Sequence, residues 1–543
     1  MHLRKLRTKP VNRAAAVTVL ACTTALLDVS LAVAADITPP VSADLLDTWQ
    51  TDGIVWSMAA ANGVVYVGGT FDSVRPPGAA PGQGEVPRHN FAAFDSRTGR
   101  LLPCAPQFTG LGRTVRALKV SPDSKVLYVG GSFNKVGSSP ANSAVAFNTA
   151  GCGLRKDFRP SVSATVRAID ATDSTVYLGG DFGRVNNQAR NRIAAVTTKG
   201  ALLPFKAQID QPVRALSAVA SHGRIFVGGD FEAVNGRPAR SLVALHAATG
   251  KTLLAYPGWF PYQSSVKAIA RDKTRFYVGA EGHGPGIFDG RIAGLLANGT
   301  MVWKDTCRGA TQALMPWKGV LFSASHAHDC NETPGGFPER GDRQHLLAQS
   351  LNDRHILHWF PDTNDGLGEQ VGPRALAVSK GHLWVGGEFT RVNDKPQQGI
   401  ARFGSRDTGA PAVPSLGVSD IDPGRVTLTW LAAWDRDDAS LTYRVYRDGK
   451  LVGRKTQAST YWDRPRLTYT DTVGDGAAHQ YTIEVTDGTN TSGKSRTVIA
   501  TAPKPAQRAA AGPSQNAPDE TAAQDETSAP GGQAAAGQAG ETR

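Results

Sequence analysis

Residues 176–185 read VYLGGDFGRV, and this stretch decides the fold because close copies of it recur along the chain. Tyr66-Val-Gly-Gly-Thr-Phe71, Tyr128-Val-Gly-Gly-Ser-Phe133, Phe226-Val-Gly-Gly-Asp-Phe231 and Trp384-Val-Gly-Gly-Glu-Phe389 are near-identical. Tyr277-Val-Gly-Ala280 is a worn copy, and Leu321-Phe-Ser-Ala-Ser-His326 the most diverged. An aromatic and an aliphatic residue running into two small ones predict a strand packed on both faces, followed by a close backbone approach that glycine permits. The aromatic anchors Tyr66, Tyr128, Tyr177, Phe226, Tyr277, Phe322 and Trp384 stand 62, 49, 49, 51, 45 and 62 residues apart. A period of about 50 residues with strand patterning is the signature of a propeller blade. Seven copies predict seven blades.

Other strands flank the motif. Val115-Arg-Ala-Leu118, Val166-Arg-Ala-Ile169, Val213-Arg-Ala-Leu216, Val266-Lys-Ala-Ile269 and Pro373-Arg-Ala-Leu376 precede five copies. Arg192–Val196, Ser241–Leu245 and Gly399–Phe403 follow, and a fourth strand comes after a Thr-Gly turn, as in Gly250–Leu254. The last copy stops after its third strand, whereas Leu45-Leu-Asp-Thr-Trp49 reads as an orphan fourth strand ahead of the first. The N-terminal strand is therefore expected to complete the last blade and remove an open edge.

The chain has 543 residues, 59 of them glycine, and lacks long helical periodicity, so the class is all-β with room for more than one domain. Residues 1–35 read as a secretory signal: a basic start (Arg4, Lys5, Arg7, Lys9, Arg13), an apolar run, and Ala32-Val-Ala34 as a cleavage site. Cys22 offers a lipoprotein alternative, but the apolar run continues past it. No later segment reaches the 18 or so apolar residues of a membrane span. The net charge of +12 is dispersed, with no basic tract interleaved with aromatics. Nucleic acid is therefore a poor partner, while weak attraction to anionic wall polymers stays open. Export favours disulfides. Cys307 and Cys330 flank one diverged copy, and Cys104 and Cys152 lie about one repeat apart.

After residue 409, a Pro-containing linker (410–414) leads to a second pattern at 415–502. Val426-Thr-Leu-Thr-Trp430 alternates, Leu441–Tyr446 runs into an Arg447-Asp-Gly-Lys450 hairpin, and Gln480–Val485 carries Tyr481, placed for a tyrosine corner. Residues 503–543 are Ala/Gly/Gln-rich with few apolar side chains, the composition of a disordered tail.

The seven motif copies resemble the delta-60-type propeller repeats of secreted bacterial proteins, and residues 415–502 resemble a fibronectin type III domain. The resemblance implies a secreted or extracellular protein, either released or held at a cell wall, of all-β class: a seven-bladed β-propeller over 36–409, then a β-sandwich. Bacterial fibronectin type III domains often accompany polysaccharide-degrading enzymes, so a carbohydrate context is implied, with no glycosidase motif to carry over.

Three stretches could carry chemistry. Asp181, Asp230 and Glu388 follow the second glycine, with Arg167, Arg214 and Arg374 on the strands before them; charges repeated in several blades read first as structural ion pairs. The repeat also breaks at 279–283 (Gly-Ala-Glu-Gly-His) and at 322–337, where His326, His328, Asp329 and Glu332 crowd around Cys330. Alternation places His326 and His328 on one strand face, which suits Zn2+, sugar hydroxyls, or a disulfide-held loop with backbone-bonded histidines. Together with His283 and Trp359, these residues are the ligand-binding candidates. Asp362, Asn364 and Glu369 surround Gly366 with the oxygen spacing of a short Ca2+ loop, a pattern that Asx turns also explain. No catalytic residue is assignable, since carboxylate separation is a three-dimensional quantity.

Two functions stay open. One is an exported, monomeric, non-catalytic binding or scaffold protein whose propeller face meets a cell-surface or environmental polysaccharide or another surface protein. The other is a carbohydrate-active hydrolase or lyase with an accessory fibronectin type III module.

Overall fold

A computed structural model of the chain describes residues 37–110, 112–284, 286–339 and 341–505; its regular structure is almost all strand, with one short 3-10 helix among the described residues. The expected leader lies outside the described residues, as does the tail from residue 506 onward. Each motif copy forms the second strand of a sheet: Val64–Thr70, Val126–Ser132, Thr175–Gly180, Arg224–Gly229, Arg275–Gly282, Val320–Ala327 and His382–Gly387. Each pairs antiparallel with the strand before it and with a third strand after it. The first strands are Ile54–Ala61, Thr114–Val120, Val166–Ala171, Val213–Val219, Ser264–Arg271, Thr311–Trp317 and Pro373–Ser379. Each of these neighbours the next in chain order, and Pro373–Ser379 returns to Ile54–Ala61. The sheets therefore form a propeller-like ring with the first strands innermost. A full fourth strand is present as Thr252–Ala255 and Met301–Asp305; in other repeats it is reduced to single bridges such as Phe94↔Leu101 and Val196↔Leu202.

The two glycines of the motif do different work. The first meets the next sheet: a Cβ at Gly130, Gly179 or Gly228 would collide with Val166, Val213 or Val266 of the following first strand, and Gly386 abuts Val55 of the opening one. The second meets its own first strand, where a Cβ at Gly131, Gly180 or Gly229 would strike the carbonyl of Thr114, Thr165 or Pro212. Its N–H also donates to a left-handed residue ahead of the third strand, as Gly180 does to Arg192, whose own N–H donates to the carbonyl of Phe182. That pair of bonds turns the chain after the strand, which is why the motif ends on Gly-x-Phe rather than on glycine alone.

The ring closes through the N-terminal segment. Leu45 bridges Phe403, Ser42 and Leu46 N–H donate to the carbonyls of Gly404 and Arg402, and Thr51 N–H donates to Gln398. The buried Arg402 donates to the carbonyls of Asp47, Arg97 and Thr98, tying the last sheet to both the opening segment and the first repeat. Leu45–Trp49 thus does supply the outer edge of the last sheet.

Residues 416–501 form two facing sheets of three and four strands around Trp430, Tyr443, Val445, Tyr481 and Ile483. The Arg447–Lys450 hairpin has Asp448 and Gly449 at φ 48° and 78°, the left-handed pair of a type I′ turn. Tyr481 differs from the expected backbone-bonded corner: its hydroxyl donates to Asp471, 2.8 Å away, a carboxylate also held by Arg447 at 2.7 Å. This sandwich packs on the ring. Tyr461 and Trp462 lie edge-on to Phe360 at 5.5 and 5.0 Å, Trp462 sits 5.6 Å from Phe337, and Phe360 N–H donates to the Arg436 carbonyl. Beneath them the Cys307–Cys330 disulfide anchors the loop carrying Phe337; a second disulfide joins Cys104 and Cys152.

Candidate functional site

All seven first strands carry a β-bulge at the same place, where the pairing skips one residue. The skipped residues are Trp56, Arg116, Arg167, Arg214, Lys267, Gln312 and Arg374, and all seven line one cavity of about 130 Å3 at the middle of the ring, with Glu281 and Glu369. The cause is local. A bulge bends the strand and re-aims its extra side chain; in five sheets it lies opposite the second glycine of the motif, and in the other two opposite Ala280 and Ser325.

Four of the five cations are answered by an acid on the neighbouring strand. Arg167 lies 2.6 Å from Asp181, Arg214 2.6 Å from Asp230, Lys267 3.0 Å from Glu281 and Arg374 2.6 Å from Glu388. Arg374 also holds Glu369 at 2.9 Å, and Gln312 donates to Glu281 at 2.6 Å. Burial alone would raise the Asp230 and Glu281 carboxyls; the bonds from Arg214 and Ser265, and the charge and hydrogen bond of Lys267, outweigh it and hold both below the usual carboxylate range. Arg116 stands apart. It makes no ion pair among the described residues, its Nε is buried without a partner, and its guanidinium lies 3.7 Å from the Trp56 ring centroid. Arg374 stacks on the same indole at 4.4 Å. Burial, reinforced by Arg167, Arg374 and Arg214, pulls Arg116 down to about 10.

The residues singled out in the sequence fall elsewhere. His326 and His328 do not share a ligand sphere with Asp329 and Glu332. His328 Nδ1 lies 2.6 Å from Glu339, Asp329 is 3.5 Å from Arg308, and Glu332 accepts from Thr306 at 2.8 Å. His326 is held neutral, pushed down to about 4 by burial and then by Arg343 and His345. The register irregularity between Ala324 and Ala327 interrupts the alternation on which the same-face expectation rested. His283 is exposed, 3.6 Å from Glu281. Trp359 is a correction: it is fully buried, edge-on to Phe322 and Phe403, and offers no face to a ligand.

The Ca2+ loop is also corrected, because each of its three side chains has its own protein partner. Asn364 accepts from the Thr390 and Arg391 amides, and Glu369 belongs to Arg374. Asp362 caps His345, whose other nitrogen lies 3.0 Å from Asp365. Acids close enough to share one cation do occur among the described residues, as Asp407, Asp438 and Asp487 and as Asp435, Asp437 and Asp438, near where the sandwich meets the ring. Burial and mutual repulsion push Asp407 and Asp438 up to about 6.

His345 yields a pH prediction. Burial alone would lower its pKa, but the hydrogen bonds and charges of Asp362 and Asp365 outweigh it and raise it from 6.5 to about 9. The folded state thus holds this proton more tightly. Its stabilisation is complete below pH 6.5 and is lost as pH rises through 9, by roughly 3 kcal/mol in all. The melting temperature should fall across that window, and His345→Gln should flatten the slope; a parallel slope in the variant would refute the assignment.

The ring cavity was only partly legible in the sequence. The Arg–acid pairs are formed as expected, but they also face a common space. Glu281, in a stretch read as broken, keeps the acid of the repeat and pairs with Lys267. Trp56, Arg116 and Gln312 escaped notice because their repeats lack that acid. The signal that would have found them is position alone, two residues before the Leu, Ile or Met of each first strand.

No protein-family model matches the chain, and no curated protein matches it. Among solved structures it is similar to a dihydro-heme d1 dehydrogenase in complex with DHE (14% identity, 79% of this chain and 77% of that one, TM-score 0.32). It is also similar to a quinohemoprotein alcohol dehydrogenase from Pseudomonas putida HK5 (13%, 74% of each chain, TM-score 0.30). A third is an exo-beta-1,3-galactanase from Phanerochaete chrysosporium with beta-1,3-galactotriose (9%, 83% and 99%, TM-score 0.27). Likenesses at these scores carry no argument about chemistry, and the fold rests here on the strand pairing itself.

Proposed function

We propose that the chain is an exported, non-catalytic glycan-binding protein. In this reading residues 36–409 are a seven-bladed β-propeller of the delta-60 repeat type, joined by 410–414 to a fibronectin type III domain at 415–502. The ligand face is the mouth of the central cavity. The observation that supports this most is the ring of bulges, which aims one polar or aromatic side chain per repeat at a common space. Polar groups converging on one cavity in the middle of a rigid scaffold are the usual form of a recognition site. Glu281 and Glu369 are both ion-paired, and Glu281 is held ionised, which suits an acceptor of sugar hydroxyls better than a proton donor to a glycosidic oxygen. The two disulfides, and the lack of any helix among the described residues long and apolar enough to cross a membrane, are compatible with an extracellular protein.

The test is a glycan array probed with the full mature chain, with and without EDTA, followed by product analysis on every hit. Binding without release of sugars is expected. Released sugars that vanish in a Glu281→Gln variant would replace this reading with a hydrolase or lyase.

A further inference from the structure

Building on the glycan-binding reading, we infer that the central cavity takes a single oxyanion-bearing end group, a terminal sugar acid or sugar phosphate, with its oxyanion on Arg116 and Arg374. The first argument is the pattern of charge around the ring. Where the other cation-bearing sheets place Asp181, Asp230, Glu281 and Glu388 beside their cations, the sheet of Arg116 has Ser132. Among the described residues Arg116 is left as the cation of the ring without an ion pair, with a buried Nε that has no acceptor. Other guanidiniums surround it, and their repulsion adds to burial in weakening its hold on its own proton. An entering oxyanion would relieve both costs at once, through charge-assisted bonds of the kind guanidinium groups make in a planar fork.

The second argument is preorganisation. Trp56 Nε1 donates to Thr70 at 2.9 Å, and Thr70 is hydrogen-bonded to Thr114 at 2.8 Å, which fixes the indole. Arg116 and Arg374, from the sheets on either side of Trp56, both stack on that indole, so each guanidinium is held against it before any ligand arrives. Because Trp56 already carries them, its part is to position the arginines.

The third argument is size and balance. A cavity of about 130 Å3 is well below the roughly 300–1,000 Å3 of sites that enclose drug-sized molecules. It admits one end group, not a chain laid across the mouth. Four of the five cations are already answered by acids, so the site suits one negative charge and disfavours a polyanion. The last acid, Glu369, marks where that charge goes. Its side chain is 64% exposed and reaches in to Arg374, so it occupies the place of the ligand's oxyanion and competes with it. Gln312 and Glu281 then face the hydroxyls of the bound sugar.

Isothermal titration of the full mature chain tests this with D-glucuronate and D-galacturonate, glucose 6-phosphate, inorganic phosphate, and the neutral parents glucose and galactose. The sugar acids or the sugar phosphate should bind, whichever is the better ligand naming the source of the oxyanion, and the neutral hexoses should bind at least about tenfold more weakly, as expected for loss of a charged hydrogen bond. Arg116→Gln should lose about tenfold or more, and Glu369→Gln should tighten binding severalfold by removing the competitor. The second variant alters an exposed side chain and keeps the test decisive if the first fails to fold. Equal affinity for acid and neutral sugars, no binding by any anion, or an unchanged affinity in Glu369→Gln would overturn the inference. The glycan reading fails separately: inorganic phosphate binding as well as glucose 6-phosphate, with an empty array, would leave an oxyanion site without a sugar. Array hits confined to neutral glycans would keep the reading and remove the inference.

Discussion

A Gly228→Val variant should lose roughly 3 kcal/mol or more of stability and melt about 5–10 °C lower, because overpacking a joint between two sheets leaves neither side free to yield. The new Cβ would collide with Val266 of the next first strand and crowd Ile269, both part of the packing between adjacent sheets. Gly229→Val separates the two glycines. There the clash is with the Pro212 carbonyl of the same sheet, so the variant should flatten the bulge and displace Arg214 as well as lower the melting temperature. Gly229→Ala should be mild by comparison, since Ala280 and Ser325 stand at the matching positions of the two diverged repeats and their bulges persist. Thermal unfolding of the three variants decides the matter. An unchanged melting temperature in Gly228→Val would contradict the packing role.

Removing residues up to Asp52 should have a still larger effect. The deletion strips the last sheet of its outer edge and leaves the partners of Ser42, Leu46 and Thr51 without hydrogen bonds. It also empties the contacts of the buried Arg402 with Asp47 and of Gln397 with Thr48. Each buried polar group left unpaired costs about 1–3 kcal/mol, and the exposed edge becomes a template for pairing between chains. The truncated protein should therefore unfold without a cooperative transition or associate, and a synthetic peptide of residues 37–52 should restore a single sharp transition. A truncated protein that stays monomeric and melts normally would show that the opening segment merely lies on the ring.

The ring was legible because its repeat is written seven times, five of them with Gly-Gly-x-Phe intact. Gly-Gly-x-Phe encodes a close approach and a turn, and both are backbone geometry that a single sequence can carry. The charged pairs were legible for the same reason. The cavity was not, since a space exists only once seven strands face one another, and Trp56, Arg116 and Gln312 belong to it by position rather than by residue type. The opposite error arose in the irregular stretches. Asp362, Asn364 and Glu369 have the spacing of an ion loop, but His345, the Thr390 amide and Arg374, all outside the loop, use oxygens of the same side chains. Trp359 looked available because sequence does not show Phe322 and Phe403 closing over it. Nor did anything in residues 461–462 announce that an aromatic pair would dock the sandwich onto Phe337 and Phe360.

The closing strand also sets an order of events. The bond from Gln398 N–H to the Gln50 side chain spans 348 residues of sequence, and that from Asn393 to Ala43 spans 350. A ribosome releases the opening segment first, so that segment must wait, its edge unmatched, until the last repeat has emerged. Contacts of such long sequence separation make folding slow, and during the delay the earlier sheets stack as a growing open arc whose free flank is exposed to other chains. Assembly of this protein should therefore be limited by the arrival of residues 391–404 rather than by the folding of any single repeat.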